Sequence, residues 1–131
     1  MASIFTKIIN GEIPGHKIAE NDKFFAFLDA FPLVHGHVLV VPKKETDYIF
    51  DIDDAELSEM IVFAKYVAKA IRKAVPCKRI GMSVIGLEVP HAHIHLVPMN
   101  TANDVNFTQP KLKPTPEELS SMAEKIRAQL D

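Results

Sequence analysis

One segment, Asp54 to Ala74, limits what this chain can fold into. Leu57, Met60, Ile61, Ala64, Val67, Ala68 and Ile71 recur there at intervals of three and four, which places them on a single apolar stripe of one long α-helix. Asp53, with Glu56 three residues on, resembles a capping box at its start. Such a stripe needs a surface to lie on. The rest of the chain offers short runs rich in apolar and aromatic residues at 16–20, 24–29 and 37–41 before the helix and at 79–85 and 91–99 after it. Asn21-Asp22, residues 32–36 and a loop beginning at Gly86 punctuate these runs, so they read as antiparallel strands. Residues 4–10 predict a short helix closed by the turn signal Asn10-Gly11. Thr115, Pro116 and Glu118 form a capping box with a pre-set backbone angle, opening a helix over about 116–130 whose Leu119, Met122, Ile126 and Leu130 form one stripe. The polar, proline-bearing stretch 100–114 predicts an extended connection across the surface. The expected fold is therefore α+β: a five-stranded antiparallel sheet with one long helix, a short N-terminal helix and a C-terminal helix.

A chain of 131 residues buries roughly two-thirds of its unfolded surface, enough for the core of a single domain without metal or disulfide staples. Its formal charge of −2 argues against a protein that grips long nucleic acid by neutralising phosphates, and leaves a small anionic ligand open. Cys77 is the single cysteine, which excludes an internal disulfide and fits a buried thiol in a reducing compartment. The opening residues lack the apolar region of a signal peptide, and no apolar run approaches the ~20 residues that cross a bilayer. The expected location is the cytoplasm, with no membrane partner.

Five of the six histidines fall in two short segments, His35 with His37 and His91 with His93 and His95. In a strand, the period of two places the last three imidazoles on one face, with Ala92, Ile94 and Leu96 on the other and successive rings roughly 6.5–7 Å apart. A face built from groups that titrate near neutral pH packs poorly, so the triplet points to chemistry. Two chemistries fit. Alternating histidines can ligate zinc, with a further ligand from elsewhere and an open position for water. Alternatively, a central neutral imidazole can attack phosphorus, its other nitrogen held by a hydrogen bond while its neighbours donate to the phosphoryl oxygens. Spacing alone does not choose between them.

The run His91-Ala92-His93-Ile94-His95-Leu96-Val97 resembles the H-x-H-x-H signature of the histidine triad (HIT) nucleotide-binding superfamily, with its two following apolar residues. Residues 4–14, Ala26-Phe27-Leu28-Asp29 and Gly36-His37-Val38-Leu39-Val40-Val41-Pro42-Lys43 resemble the family's opening segment and its second and third strands. The likeness covers about residues 3–98 and leaves 99–131 as a C-terminal extension. It implies a HIT-like fold, a homodimer joined through its sheets, and a pocket for a purine nucleoside monophosphate unit. It further implies that His93 is the nucleophile that becomes nucleotidylated and that His91 orients it through its backbone carbonyl or ring. His95 would donate to a nonbridging phosphate oxygen and His37 would complete the phosphate site, both biased toward the protonated form by the phosphate. Asp29 would accept from the ribose hydroxyls, and Phe5, Ile8, Ile13, Phe27 and Leu39 would line the base and sugar pocket; these apolar residues also suit an ordinary core, and Asp29 also suits a turn.

The sequence departs from that pattern in two places. Many family members carry a Gly-Gln-Ser/Thr-Val run before the triad; here the stretch is Gly86-Leu87-Glu88-Val89-Pro90, so an amide becomes leucine and a hydroxyl becomes carboxyl. Ionised, Glu88 would repel a phosphate; protonated, it could give its proton to the leaving group. Where some bacterial relatives hold structural zinc with Cys-x-x-Cys, this chain has Ser3-Ile4-Phe5-Thr6, and hydroxyls substitute poorly for thiolates, so neither metal nor other cofactor is expected. The resulting expectation is an enzyme that hydrolyses nucleoside 5′-phosphoramidates. A dinucleoside polyphosphate hydrolase and a non-catalytic nucleotide-binding dimer are the alternatives.

Overall fold

A computed structural model describes residues 2–131. Each strand-like run becomes a strand: β1 (Lys17–Glu20), β2 (Phe24–Leu28), β3 (Val38–Pro42), β4 (Arg79–Ser83) and β5 (Ile94–Met99). They form one antiparallel sheet in the order β1-β2-β3-β5-β4. Three helices accompany it: α1 (Ile4–Ile9), α2 (Asp54–Ala74) and α3 (Pro116–Arg127). This is the α+β architecture that the periodicities imply.

The two faces of the sheet do different work. Phe24, Ala26, Val38, Val40, Ile94 and Leu96 point to one face, where α2 and α3 close the main core. Phe25, Phe27, Leu39 and Val41 point to the other, where Phe5 of α1 caps a smaller apolar cluster. The α2 stripe is rotated slightly from its sequence-based outline: Ile61 is 42% exposed, while Phe63 and Ala70 are buried. Phe63 turns inward because it packs against the Phe24 ring, with centroids 5.8 Å apart. Asp53 accepts from the N–H of Glu56 at 2.9 Å, the forward half of a capping box.

β5 is shorter than its pattern. Pairing starts at Ile94, because Ala92 donates its N–H to Thr46 (2.7 Å) and His91 donates to Val89 (2.8 Å), which draws residues 89–92 off the ladder. Alternation persists through that segment even so: Ala92 joins Ile94 and Leu96 in the main core, while His91 and His93 flank Phe5 on the opposite face.

The C-terminal extension is less extended than its composition suggests. Ala102–Val105 form a 3-10 turn, fastened by the Asp104 carboxylate, which accepts from the N–H groups of Asn100 (2.8 Å) and Thr101 (3.1 Å). It lies close to β4 because residue 81 is glycine: a Cβ there would come within 2.7 Å of Met99 Sδ and 3.2 Å of Val105. The chain then crosses to Pro32, whose carbonyl accepts from the N–H of Leu112 at 2.9 Å. From there it enters α3 through a complete capping box at Thr115 and Glu118. α3 ends at Arg127, short of 130, yet Leu130 still packs on the core.

Ile126 is fully buried and fixes α3, and with it the far end of this crossing strap. Ile126→Ala is expected to lower the unfolding free energy in urea by about 2–4 kcal/mol. A loss below ~1 kcal/mol would mean that α3 is not docked as described.

Candidate active site

His37, His93 and His95 meet on the small-cluster side of the sheet, brought together by two features of strand pairing. β3 and β5 pair antiparallel with Val38 opposite Leu96 and Leu39 opposite His95, so the residue that leads into β3 lies within reach of the His95 ring across the ladder. Gly36 has φ +93°, a conformation that L side chains rarely adopt, and a Cβ there would also lie 3.0 Å from Val75 and 3.2 Å from Pro98. Glycine therefore lets the chain turn sharply and deliver His37 to the His95 ring.

The hydrogen bonds then dictate the tautomer of each neutral ring. The backbone N–H of Leu33 can only donate, and it lies 3.1 Å from His37 Nδ1, so that nitrogen accepts. The proton of His37 therefore sits on Nε2, which donates to His95 Nδ1 at 3.0 Å. His95 must in turn carry its proton on Nε2, where it is free to donate. His93 has the opposite arrangement: its Nδ1 donates to the carbonyl of His91 at 2.8 Å, which leaves an unprotonated Nε2 with a lone pair. His91 does not face the cavity. Its Nε2 donates to the Pro42 carbonyl (2.7 Å), and its Nδ1 accepts from the Ser3 hydroxyl (2.7 Å). Ser3 also caps α1 and donates its N–H to Glu45, which accepts from Thr6 Oγ1 as well. The two hydroxyl residues in the Ser3-x-x-Thr6 run thus serve a hydrogen-bonded clamp on His91.

Burial governs the charge of these rings. Desolvation, helped by Lys111 and His93, pushes His37 down to about 4. Desolvation again, then the neighbouring His37, His93 and Lys111, pushes His95 down to about 3. His91 is lowered by burial too, partly offset by Pro42 and Glu45. In the free protein the His37 and His95 donors are therefore neutral and set by tautomer; the bias toward protonated rings was expected of the phosphate-bound site. The rings of His93 and His95 also lie closer than strand geometry alone suggests, with centroids 4.8 Å apart, because His93 precedes the regular strand and leans toward its neighbour.

A cavity of about 450 Å³ opens in front of His37, His93 and His95. Phe5, Ile8, Phe27 and Leu39 line it, as do Asp29, Leu87 and Glu88; Ile13 lies outside the lining, in the turn after α1. Asp29 serves two ends at once. One oxygen accepts from the Phe31 N–H at 2.9 Å in a turn, and the other lies 3.8 Å from His37 Nε2. Burial pushes its carboxyl up, against the pull of the Phe31 N–H. Asp29, His37 and His95 offer donor atoms within 4.8 Å of one another, a spacing that also suits a metal ion; between the two rings that space holds the shared proton. Leu87 and Glu88 are both exposed at the rim, Leu87 by 88%. Phe107 and Lys111 also line the cavity; the placement of Lys111 has no signal in the sequence, because it lies in a polar connector without periodicity.

Residues 10–102 match the HIT domain family. The chain belongs to that family. It is 30% identical to the adenosine 5′-monophosphoramidase of Schizosaccharomyces pombe over 99% of each chain. It is 34% identical to an uncharacterised HIT-like protein of Borreliella burgdorferi over 72% of this chain and 73% of that one. Among solved structures, a HIT-like protein from Bartonella henselae superposes with a TM-score of 0.84 at 34% identity, covering 98% of this chain and 96% of that one. A histidine triad nucleotide-binding protein from Sulfolobus tokodaii gives 0.82 at 28% identity, covering 96% and 90%. The HIT domain with its histidines in place marks this protein as an enzyme of the nucleotide-hydrolysing type. Among the described residues no helix is long and apolar enough to cross a membrane.

The buried neutral histidines tie stability to pH. Their folded values lie below the ordinary 6.5, so in mild acid the unfolded chain binds protons that the folded chain refuses. The contribution is fully present above about pH 6.5 and is lost as pH falls through about 4 for His37 and about 3 for His95. Urea titrations are expected to show stability falling from pH 7 to 4.5, by at most ~1.4 kcal/mol per pH unit for each histidine. The slope should be shallower in His37→Gln, and an equal slope in both proteins would contradict the lowered value of buried His37.

Proposed function

We propose that this HIT protein hydrolyses nucleoside 5′-phosphoramidates, breaking the phosphorus–nitrogen bond through a nucleotidyl-His93 intermediate. One observation carries the reading: His93 Nδ1 is held on the His91 carbonyl at 2.8 Å, so the Nε2 lone pair is set for attack in a cavity of nucleotide size. His95, a neutral donor through Nε2–H, addresses a nonbridging oxygen of the phosphoryl group, and His37 holds it in that tautomer. Asp29 accepts from the ribose, and Phe5, Ile8, Phe27 and Leu39 receive the sugar and a purine base. The likeness to the fission yeast adenosine 5′-monophosphoramidase supports the same choice.

The reaction proceeds in two balanced steps. In the first, the bond from His93 Nε2 to phosphorus forms as the bond from phosphorus to nitrogen breaks, and the departing nitrogen takes a proton from solvent at the open rim, relayed by the Glu88 carboxyl. In the second, water attacks phosphorus as the bond to His93 breaks, its proton returns to solvent by the same relay, and His93 and the nucleoside monophosphate are released. No metal or cofactor enters either step as drawn. The enzyme acts as a homodimer in this reading: β4 is an open edge of the sheet, and Met82, Val84 and Ile85 on and beyond it are exposed apolar residues, which favours pairing with a second copy.

Single-turnover incubation with a fluorogenic adenosine phosphoramidate, followed by intact mass measurement after a denaturing alkaline quench at several times and again after acid treatment, tests the central step. The wild type is expected to carry one acid-labile adenylyl group that His93→Ala lacks. Nucleotide binding without turnover or adduct would instead favour a binding protein. Glu88→Gln is expected to slow amine release by about 10²-fold or more and to alter the pH profile; overlaying profiles would remove Glu88 from the mechanism.

A further inference from the structure

We propose that Lys111 and the strap presenting it form a subsite for the leaving group, selecting amines that carry an anion, a carboxylate or a phosphate, close to the departing nitrogen. This rests on the phosphoramidase reading and deepens it. With the nucleoside and the phosphoryl group assigned as above, the lining left for the leaving group includes Leu87 and Glu88 on one loop and Phe107 and Lys111 on the strap.

Lys111 is the single lysine or arginine that lines the cavity. It forms no ion pair among the described residues, although two carboxylates, Asp29 and Glu88, line the same space. Its ammonium is held by main-chain carbonyls instead, that of Phe107 at 2.7 Å and that of Gln109 at 3.4 Å. An ammonium has three N–H donors, so one remains for a ligand. The side chain is also pre-positioned, with Nζ 5.8 Å from the centroid of the Phe107 ring, so little conformational entropy remains to be lost on binding.

Phe107 places this cation with respect to the chemistry. Its ring meets His95 nearly edge-on, with centroids 4.7 Å apart, and lies 6.3 Å from His37. The strap therefore packs directly on the pair of rings that addresses the phosphoryl group. The field of Lys111 reaches Asp29, His37 and His95 alike. The rings of His37 and His95 are neutral there, so an anion on the leaving group meets Lys111 as its charged partner. A neutral amine would gain nothing from it. Residues 103–115 lie beyond the segment that matches the HIT family, so this selection belongs to the extension and not to the catalytic body.

Three adenosine phosphoramidates test the subsite: one of an α-amino acid, one of its methyl ester and one of 2-aminoethyl phosphate. The wild type is expected to show a kcat/KM for the acid, or for the phosphate, about tenfold or more above the ester. Lys111→Met should bring that ratio to within about twofold, Lys111→Arg should restore much of it, and added salt should erode it in the wild type. The arm that gains more identifies the anion. Turnover of all three with no preference in the wild type, or with the same ratio in Lys111→Met, overturns the subsite and leaves the phosphoramidase reading standing. No turnover of any of the three overturns both.

Discussion

The hydrogen bond from His37 Nε2 to His95 Nδ1, 3.0 Å long and buried, is the contact on which the chemistry of this fold depends. It exists only because the Leu33 N–H, an obligatory donor, occupies the other nitrogen of His37 and forces its proton toward His95. The sheet serves that contact. Register between β3 and β5 sets the two chains side by side, and the glycine turn at 36 brings His37 in from a different strand. Two rings buried without charge would be poor packing for a core alone. Here they are neutral in the free protein, and a phosphoryl oxygen arriving at His95 meets a donor that is already oriented.

Much of the fold was legible because the chain keeps its periodicities apart. The α2 pattern spans Asp54 to Ala74 and forms a helix over that span, because both its cap and its stripe are local features. Where structure departs from pattern, the cause is tertiary. Ile61 fits the stripe as well as Met60 does, but only the aromatic contact between Phe63 and Phe24 decides which way the helix is turned. The late start of β5 depends on the bond from Ala92 to Thr46, a partner 46 residues away in sequence that no pattern announces.

The site was partly legible for the same reason. A period of two survives even off the ladder, so His93 and His95 share a face as the alternation implies. The role of His91 is different from that of its neighbours: its ring turns to Ser3 and Pro42, and only its carbonyl reaches His93. The clamp of Ser3, Thr6 and Glu45 on that ring ties α1 to the triad, so Phe5 is carried against His93 at 5.0 Å. The placement of Lys111 was not legible. It sits in a connector whose composition says only that it is polar, and its position follows from the glycine at 81 and the anchor at Pro32.

Two-bond proton–nitrogen correlation of the histidine side chains at neutral pH observes the pattern of protons at this site directly. His37, His91 and His95 are expected to be neutral with the proton on Nε2, and the neutral form of His93 to carry it on Nδ1. Finding His95 as the Nδ1–H tautomer, or doubly protonated in the free protein, would contradict it.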